Sequence, residues 1–153
     1  MQIKIHKEGW SYFILSIILT FVSFIFSPFL GLIFLILSSY IFYFFRDPSR
    51  YIPSEDLIVS PADGVITYIG LSNSPIDYDD NKKFIKISIF LNIFNVHVNR
   101  FPTDGFVKKI EYVKGKFINA TLNKSSEDNE RNIILLENNK NEKFFVTQIA
   151  GLI

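Results

Sequence analysis

From Trp10 to Phe45 the chain carries no charged residue, 36 positions in a row. As one helix rising about 1.5 Å per residue, that run would be roughly 54 Å long. A hydrocarbon core is only about 30 Å thick, so a single straight pass does not fit. Ser27-Pro28-Phe29-Leu30-Gly31 places a helix breaker at the middle of the run. Two apolar segments of about 17 residues remain, at the short end for spanning. The expected structure for residues 1–46 is an apolar helical hairpin that crosses a bilayer twice or dips into one leaflet. Lys4 and Lys7 precede it, and Arg46 and Arg50 follow it. Lys and Arg accumulate on the cytoplasmic side, so both ends are expected there. Tyr40 and Tyr43, with neighbouring phenylalanines, supply an aromatic belt just before the exit at Arg46-Asp47-Pro48-Ser49-Arg50. A cleaved signal peptide would share the basic start, but the run is too long and no small-residue cleavage site follows. A hairpin buried in a water-soluble core would need a much larger domain to cover it.

Almost every charge lies outside this run, so the formal net charge of +1 averages two different materials. There is no basic stripe of the kind nucleic-acid binding requires. The absence of cysteine excludes disulfides, thiolate nucleophiles and cysteine-bound zinc. The two histidines, His6 and His97, are too far apart in sequence to suggest a zinc site. Asp77-x-Asp79-x-Asn81 begins like a calcium loop, but Lys82 stands where the turn glycine belongs and Ser88 where the bidentate glutamate belongs. No metal site is expected. There is also no Gly-rich phosphate loop and no Gly-x-Ser-x-Gly elbow.

Residues 47–153 read as short strands divided by turns, which makes the second part a mainly β (α+β) domain facing the cytoplasm. Alternating or β-branched runs point to strands at 57–60, 65–69, 84–90, 95–99, 106–113, 132–137 and 143–149. Turn residues fall between them at Asp63-Gly64, Asn73-Ser74-Pro75, Asp104-Gly105, Lys114-Gly115 and Asn138-Asn139. Residues 117–129 show no strand pattern and are expected to form a loop with a short helical turn.

Two stretches can carry chemistry. In Asn95-Val96-His97-Val98-Asn99-Arg100 the period is two, so one strand face would present two amides and an imidazole. A lone histidine is often structural, but a neutral imidazole on a polar face can also take or give a proton. Arg100 can pair bidentately with a phosphate or carboxylate, or simply be solvated. In Ser60-Pro61-Ala62-Asp63-Gly64 the plain reading is a turn. The functional one has Asp63 as a general base, or as the group that orients one. Asn129-Glu130-Arg131 reads most simply as a charged loop end leading into a strand.

Taken in order, these segments resemble a family. Phe44-Phe45-Arg46-Asp47-Pro48, Ser60-Pro61-Ala62-Asp63-Gly64, Phe94-Asn95-Val96-His97-Val98-Asn99-Arg100, Gly115-Lys116-Phe117, Asn129-Glu130-Arg131 and Gln148-Ile149-Ala150-Gly151 follow the pattern of the short bacterial phosphatidylserine decarboxylases. Each motif alone is weak, and the six in succession are specific. The resemblance implies a membrane-bound enzyme of phospholipid synthesis that converts phosphatidylserine to phosphatidylethanolamine. It implies a pyruvoyl cofactor, formed when a proenzyme cuts itself before a serine in a Gly-Ser pair. That group acts as an electron sink, the role pyridoxal phosphate plays elsewhere. By motif match, Asp63 resembles the base for self-cleavage and His97 the active-site histidine. Asn95, Asn99, Arg100 and Glu130 are the expected substrate-binding residues. The longer branch of the family has a second histidine three positions after the first; here that position is Arg100, read as a phosphate or carboxylate contact. Implied partners are the membrane, its phospholipid and a small pyruvoyl-bearing chain, with room for a homodimer and none for nucleic acid.

The chain departs from the family in one respect. Its seven glycines include none followed by serine. In the family Gln-Ile-Ala-Gly precedes a basic stretch, further strands and the cleavage serine. The expectation is an N-terminal portion holding the anchor and part of the catalytic wall, inactive alone, with an unpaired strand edge near Leu152. A truncated gene, a partial read or a split enzyme would each explain it. The rival reading is a membrane-tethered, non-enzymatic β module that binds a lipid headgroup or a partner protein.

Overall fold

The computed structural model describes residues 3–53, 57–78, 82–119 and 128–152. Most of the loop expected over 117–129 therefore lies outside the described residues. The chain forms two compact units, Met1–Asp56 with Leu91–Asn99, and Leu57–Phe90 with Arg100–Ile153.

In the first unit, helices α1 (Gly9–Phe26) and α2 (Pro28–Phe44) are joined by one residue, Ser27. Its extended backbone (φ −159°, ψ 123°) ends α1 by donating its N–H to the Ser23 carbonyl. Its hydroxyl accepts from Leu30 N and opens α2, with Pro28 in the first helical turn, where a missing N–H costs nothing. The breaker read from the sequence is this cap. The contacts run in reverse order along the two helices: Phe13 on Phe42, Thr20 on Ser38, Phe24 beside Gly31. The helices are therefore antiparallel. A Cβ on Gly31 would lie 2.4 Å from the Phe24 ring, so only glycine permits that approach.

The side chains of this pair are inverted relative to a water-soluble hairpin. Gly9, Ser16, Thr20 and Ser23 of α1, with Gly31 and Ser38 of α2, are the buried residues. Phe21, Ile25, Phe26 and Phe29 are at least 69 % exposed. Thr20 Oγ1 lies 2.9 Å from Ser38 Oγ across the interface and donates to the Ser16 carbonyl along its own helix. Strands β1 (Ile3–Ile5) and β2 (Arg46–Pro48) pair antiparallel, Lys4 opposite Asp47, and bring the two ends of the hairpin together.

Among the described residues the second unit is built mainly of β-strands. Strands β3 (Val65–Ser72) and β4 (Phe84–Phe90) form an antiparallel pair with a bulge between Ile66 and Tyr68. Strands β5 (Gly105–Val113), β6 (Arg131–Asn138) and β7 (Lys143–Ile149) form an antiparallel meander in that order. Central β6 supplies the core, with Ile133, Leu135 and Leu136 buried. Phe84 and Tyr78 meet Phe145 edge-on at 5.1 and 5.7 Å. At the β6–β7 turn, Asn138 Oδ1 accepts from Lys140 N and Glu142 N, and Asn141 takes a left-handed φ of 62°. Val65, Ile66, Ile69 and Leu71 of β3 are each more than half exposed.

Two expected strands are absent. At 57–60, Val59 N donates to the Pro102 carbonyl, and Arg100 N to that of Pro61. Pro61 and Pro102 have no N–H with which to extend these two bonds into a ladder. At 95–99 the alternation exists in sequence, but the Val98 carbonyl accepts from the Arg50 side chain and the Asn95 carbonyl faces the His97 ring rather than a neighbouring strand.

Candidate active site

Asn92-Ile93-Phe94-Asn95 is a tight turn built by its own amides. Asn95 N donates to the Asn92 carbonyl (2.9 Å), Phe94 N to Asn92 Oδ1 (2.8 Å) and Asn92 N to Asn95 Oδ1 (2.8 Å). The Asn95 side chain, expected to meet substrate, is thereby engaged in the turn. His97 follows, half-buried, with Nδ1 3.1 Å from the Asn95 carbonyl. A carbonyl only accepts, so the neutral ring carries its hydrogen on Nδ1 and keeps its lone pair at Nε2. The ring stacks on Phe44 at 4.4 Å between centroids, with 23° between planes. Val96 is buried beside it. Asn99 Oδ1 is buried with no hydrogen-bond partner in the structure, an acceptor without a donor.

This loop hangs on the end of the helical hairpin. Tyr40 Oη donates to the Ile93 carbonyl (3.1 Å), Arg46 Nη2 to that of Phe94 (2.8 Å) and Arg50 Nη2 to that of Val98 (3.3 Å). Arg46 is itself held by the Tyr43 carbonyl (2.6 Å) and lies over the Tyr43 ring, 3.6 Å from its centroid. Arg50 also lies 3.8 Å from Asp47. In the sequence the two arginines read as flanking charges, Arg46 also as part of the Phe44-Phe45-Arg46-Asp47-Pro48 motif. Their partners lie 48 residues away, a separation that leaves no local signal.

In the second unit, Asp63 sits exposed in the turn before β3. Ser60 Oγ donates to the Ala62 carbonyl (2.8 Å) and accepts from Ala62 N (3.4 Å), closing the turn on itself. A Cβ on Gly64 would come within 2.3 Å of the Phe90 carbonyl, so glycine at this position lets the turn press against β4. The Arg100 backbone is bonded to Pro61 of the same turn. Glu130 accepts from the Tyr112 hydroxyl and from Gly115 N. That hydrogen bond, then desolvation, then the carboxylate's charge push the Tyr112 phenol above its ordinary value. Beside it Asn129 is wholly buried, accepting from Ile118 N and donating to the Ile118 and Ala150 carbonyls.

Asn95, His97 and Asn99 thus share one loop of the first unit. Asp63, Arg100 and Glu130 belong to the second, where the main chain joins Arg100 to the Asp63 turn. Among the described residues no cluster of three or more His, Asp or Glu side chains could hold a metal ion.

These features define a β-rich chain with a histidine loop fastened to an apolar helical hairpin. Residues 37–153 match the family model described as phosphatidylserine decarboxylase. A phosphatidylserine decarboxylase proenzyme of Ehrlichia ruminantium (strain Welgevonden) is 52 % identical over 152 residues, covering 98 % of this chain and 66 % of that protein. One from Pelagibacter ubique is 47 % identical over 152 residues (98 % and 71 %), and one from Wolbachia pipientis 45 % over 153 residues (98 % and 66 %). The chain belongs to the phosphatidylserine decarboxylase family. It spans about two thirds of the length of these curated relatives.

Proposed function

We propose that this chain is the anchor- and histidine-bearing part of a pyruvoyl-dependent phosphatidylserine decarboxylase, acting on phosphatidylserine at the cytoplasmic face of a bacterial membrane. The observation that carries the reading is the His97 loop, fastened by Tyr40, Arg46 and Arg50 to the end of an apolar hairpin. Membrane placement of residues 1–46 is supported by the inverted helix pair. Small residues and a hydroxyl pair face inward, and large apolar side chains face outward, as bilayer helices pack. Of the described helices, α1 is long and apolar enough to cross a membrane; α2 has 17 residues. Lys4, Lys7, Arg46 and Arg50 flank the hairpin, favouring a cytoplasmic end. Residues 47–153 then form part of the catalytic domain.

No Gly-Ser pair occurs in these 153 residues, so the proposal takes the pyruvoyl group from a serine outside them. The residues present fit such a group. Asn99 Oδ1 is a buried acceptor awaiting a donor, and the substrate's amine is one. When bound, the pyruvoyl carbonyl supplies an electron sink for the carboxylate's electrons. Asn99 orients the amine. Nε2 of His97, left with its lone pair, first takes up a proton from water and then delivers it to the carbon that loses CO2. Arg100 holds the phosphate, and Asp63 serves as the base for self-cleavage. A small pyruvoyl-bearing chain is the expected partner, since the relatives are named as proenzymes.

The test is CO2 release from carboxyl-labelled phosphatidylserine in vesicles, using a proenzyme that carries this sequence. The wild type should turn over. His97→Ala should lose about 100-fold or more, the scale of a removed acid–base group. Headgroup binding without CO2 release by the wild type would reject the reading in favour of a tethered binding module.

A further inference from the structure

The centre of the 92–95 turn is Ile93-Phe94. Such turns favour Gly, Asn, Asp or Ser at their centres, because those residues serve the backbone geometry. Here the amides of Asn92 and Asn95 already do that work from the flanks. The two apolar side chains contribute nothing to the turn and stand 40 % and 61 % exposed. Single exposed apolar residues are ordinary. These two differ in being adjacent, rigidly presented and fastened beside an apolar hairpin. Tyr40 and Arg46 hold the carbonyls of these same residues.

That places the turn at a defined end of the hairpin. Tyr40 and Tyr43 lie in the last turns of α2, and Trp10 lies in the first turn of α1. Tyr12 stacks on Phe45 at 5.5 Å, so the two helix ends are level. Trp10 and Tyr43 are 50 % and 42 % exposed. An exposed tryptophan, a tyrosine and an arginine lying over that tyrosine are the composition of a bilayer's headgroup layer.

We propose that the Asn92–Asn95 turn is a second, interfacial membrane contact, with Ile93 and Phe94 entering the acyl-chain boundary of the leaflet. The proposal rests on the reading of the hairpin as a membrane anchor. The lipid surface is the occupant because the turn continues the apolar surface of the hairpin at its aromatic end. The consequence is depth: His97, two residues after the turn, is held at the level of lipid headgroups, and a lipid substrate reaches it sideways from the bilayer.

The experiment is tryptophan depth quenching of the full chain. The vesicles are phosphatidylcholine with phosphatidylglycerol, the phosphatidylcholine dibrominated near the top of its acyl chains. Wild-type protein, with Trp10 as its sole tryptophan, reports on the anchor. Trp10→Phe combined with Phe94→Trp, and separately with Ile93→Trp, reports on the turn. The expected result is a roughly twofold or greater loss of emission for the turn tryptophan, with a blue shift on vesicle addition, as for interfacial aromatics. Quenching of Trp10 with none at 93 or 94 overturns the turn contact and leaves the anchor standing. No quenching at any of the three positions overturns both. The two turn variants substitute exposed side chains, and retained helical circular dichroism shows the hairpin intact.

Discussion

The ring of Phe44, the last residue of α2, stacks on the imidazole of His97 with 4.4 Å between centroids. The helix end therefore sets the plane of the imidazole, and the Asn95 carbonyl sets its rotation. An aromatic pair of this kind is worth about 0.5–1.5 kcal/mol beyond the area it buries. In a proenzyme carrying this sequence, Phe44→Ala should lower kcat about tenfold, with KM little changed, because a misplaced group costs the transition state first. Phe44→Tyr keeps the stack and should recover most of the rate. Steady-state kinetics on both variants decide it; equal loss in the two would sink the idea.

Thr20 and Ser38 are the only side chains described as sharing a hydrogen bond between the two helices. Removing it with Thr20→Val should cost about 0.6 kcal/mol, with about 1.7 as an upper value for such bonds in bilayers. Gly31→Leu drives a side chain into Phe24 and should cost more, about 1–3 kcal/mol. Unfolding from mixed micelles by dodecyl sulfate titration ranks the two. The reverse order would show that the helices do not pack this closely.

Asn129, just before β6, is a buried clamp that bonds Ile118 and also Ala150, the residue after β7. Asn129→Ala leaves one N–H and two carbonyls without that partner, each worth about 1–3 kcal/mol when buried. A loss of about 3 kcal/mol or more in urea unfolding is expected. Asn129→Asp should be worse at neutral pH than at pH 4, because its carboxylate would face two carbonyl oxygens at 2.7 Å.

The Tyr112–Glu130 pair predicts a pH effect of definite sign. The phenol is raised above 10.0 because its neutral form donates to the carboxylate. Its contribution to stability is therefore complete below pH 10 and is lost as pH rises through the folded-state value. Wild-type stability should fall in that alkaline range more steeply than that of Tyr112→Phe. A difference titration of tyrosinate absorbance between the two proteins should show one phenol ionising late. A phenol that ionises at its ordinary value would refute the pairing.

Local patterns were read well where the physics is local. The Ser27-Pro28 breaker fell where one residue caps both helices, and the strands at 84–90 and 143–149 have the bounds seen in β4 and β7. The alternation at 95–99 misled because period two describes side chains and says nothing of what donates to the backbone carbonyls. Tyr40 and Arg46 donate to Ile93 and Phe94 just before this stretch and Arg50 to Val98 within it, and each stands 48 or 53 residues away. The same distance hid the stack of Phe44 on His97. At 57–60 the apolar residues were right for a strand, but Pro61 and Pro102 prevent a ladder. Asn129 passed as a solvated loop residue because nothing in Asn-Glu-Arg indicates that its amide is fully enclosed.

The division of the first unit also imposes an order of assembly. The hairpin is complete once Phe44 is made, yet the loop it receives ends at Asn99, with β3 and β4 synthesised in between. At about 5–20 residues per second, the ribosome takes several seconds to cover that interval. Through it Tyr40, Arg46 and Arg50 lack the loop carbonyls to which they finally donate. The histidine arrives last, at a helix end already formed. A translational pause within 57–90 would therefore prolong a species that has its hairpin but not yet His97, and chains released there would lack that residue permanently.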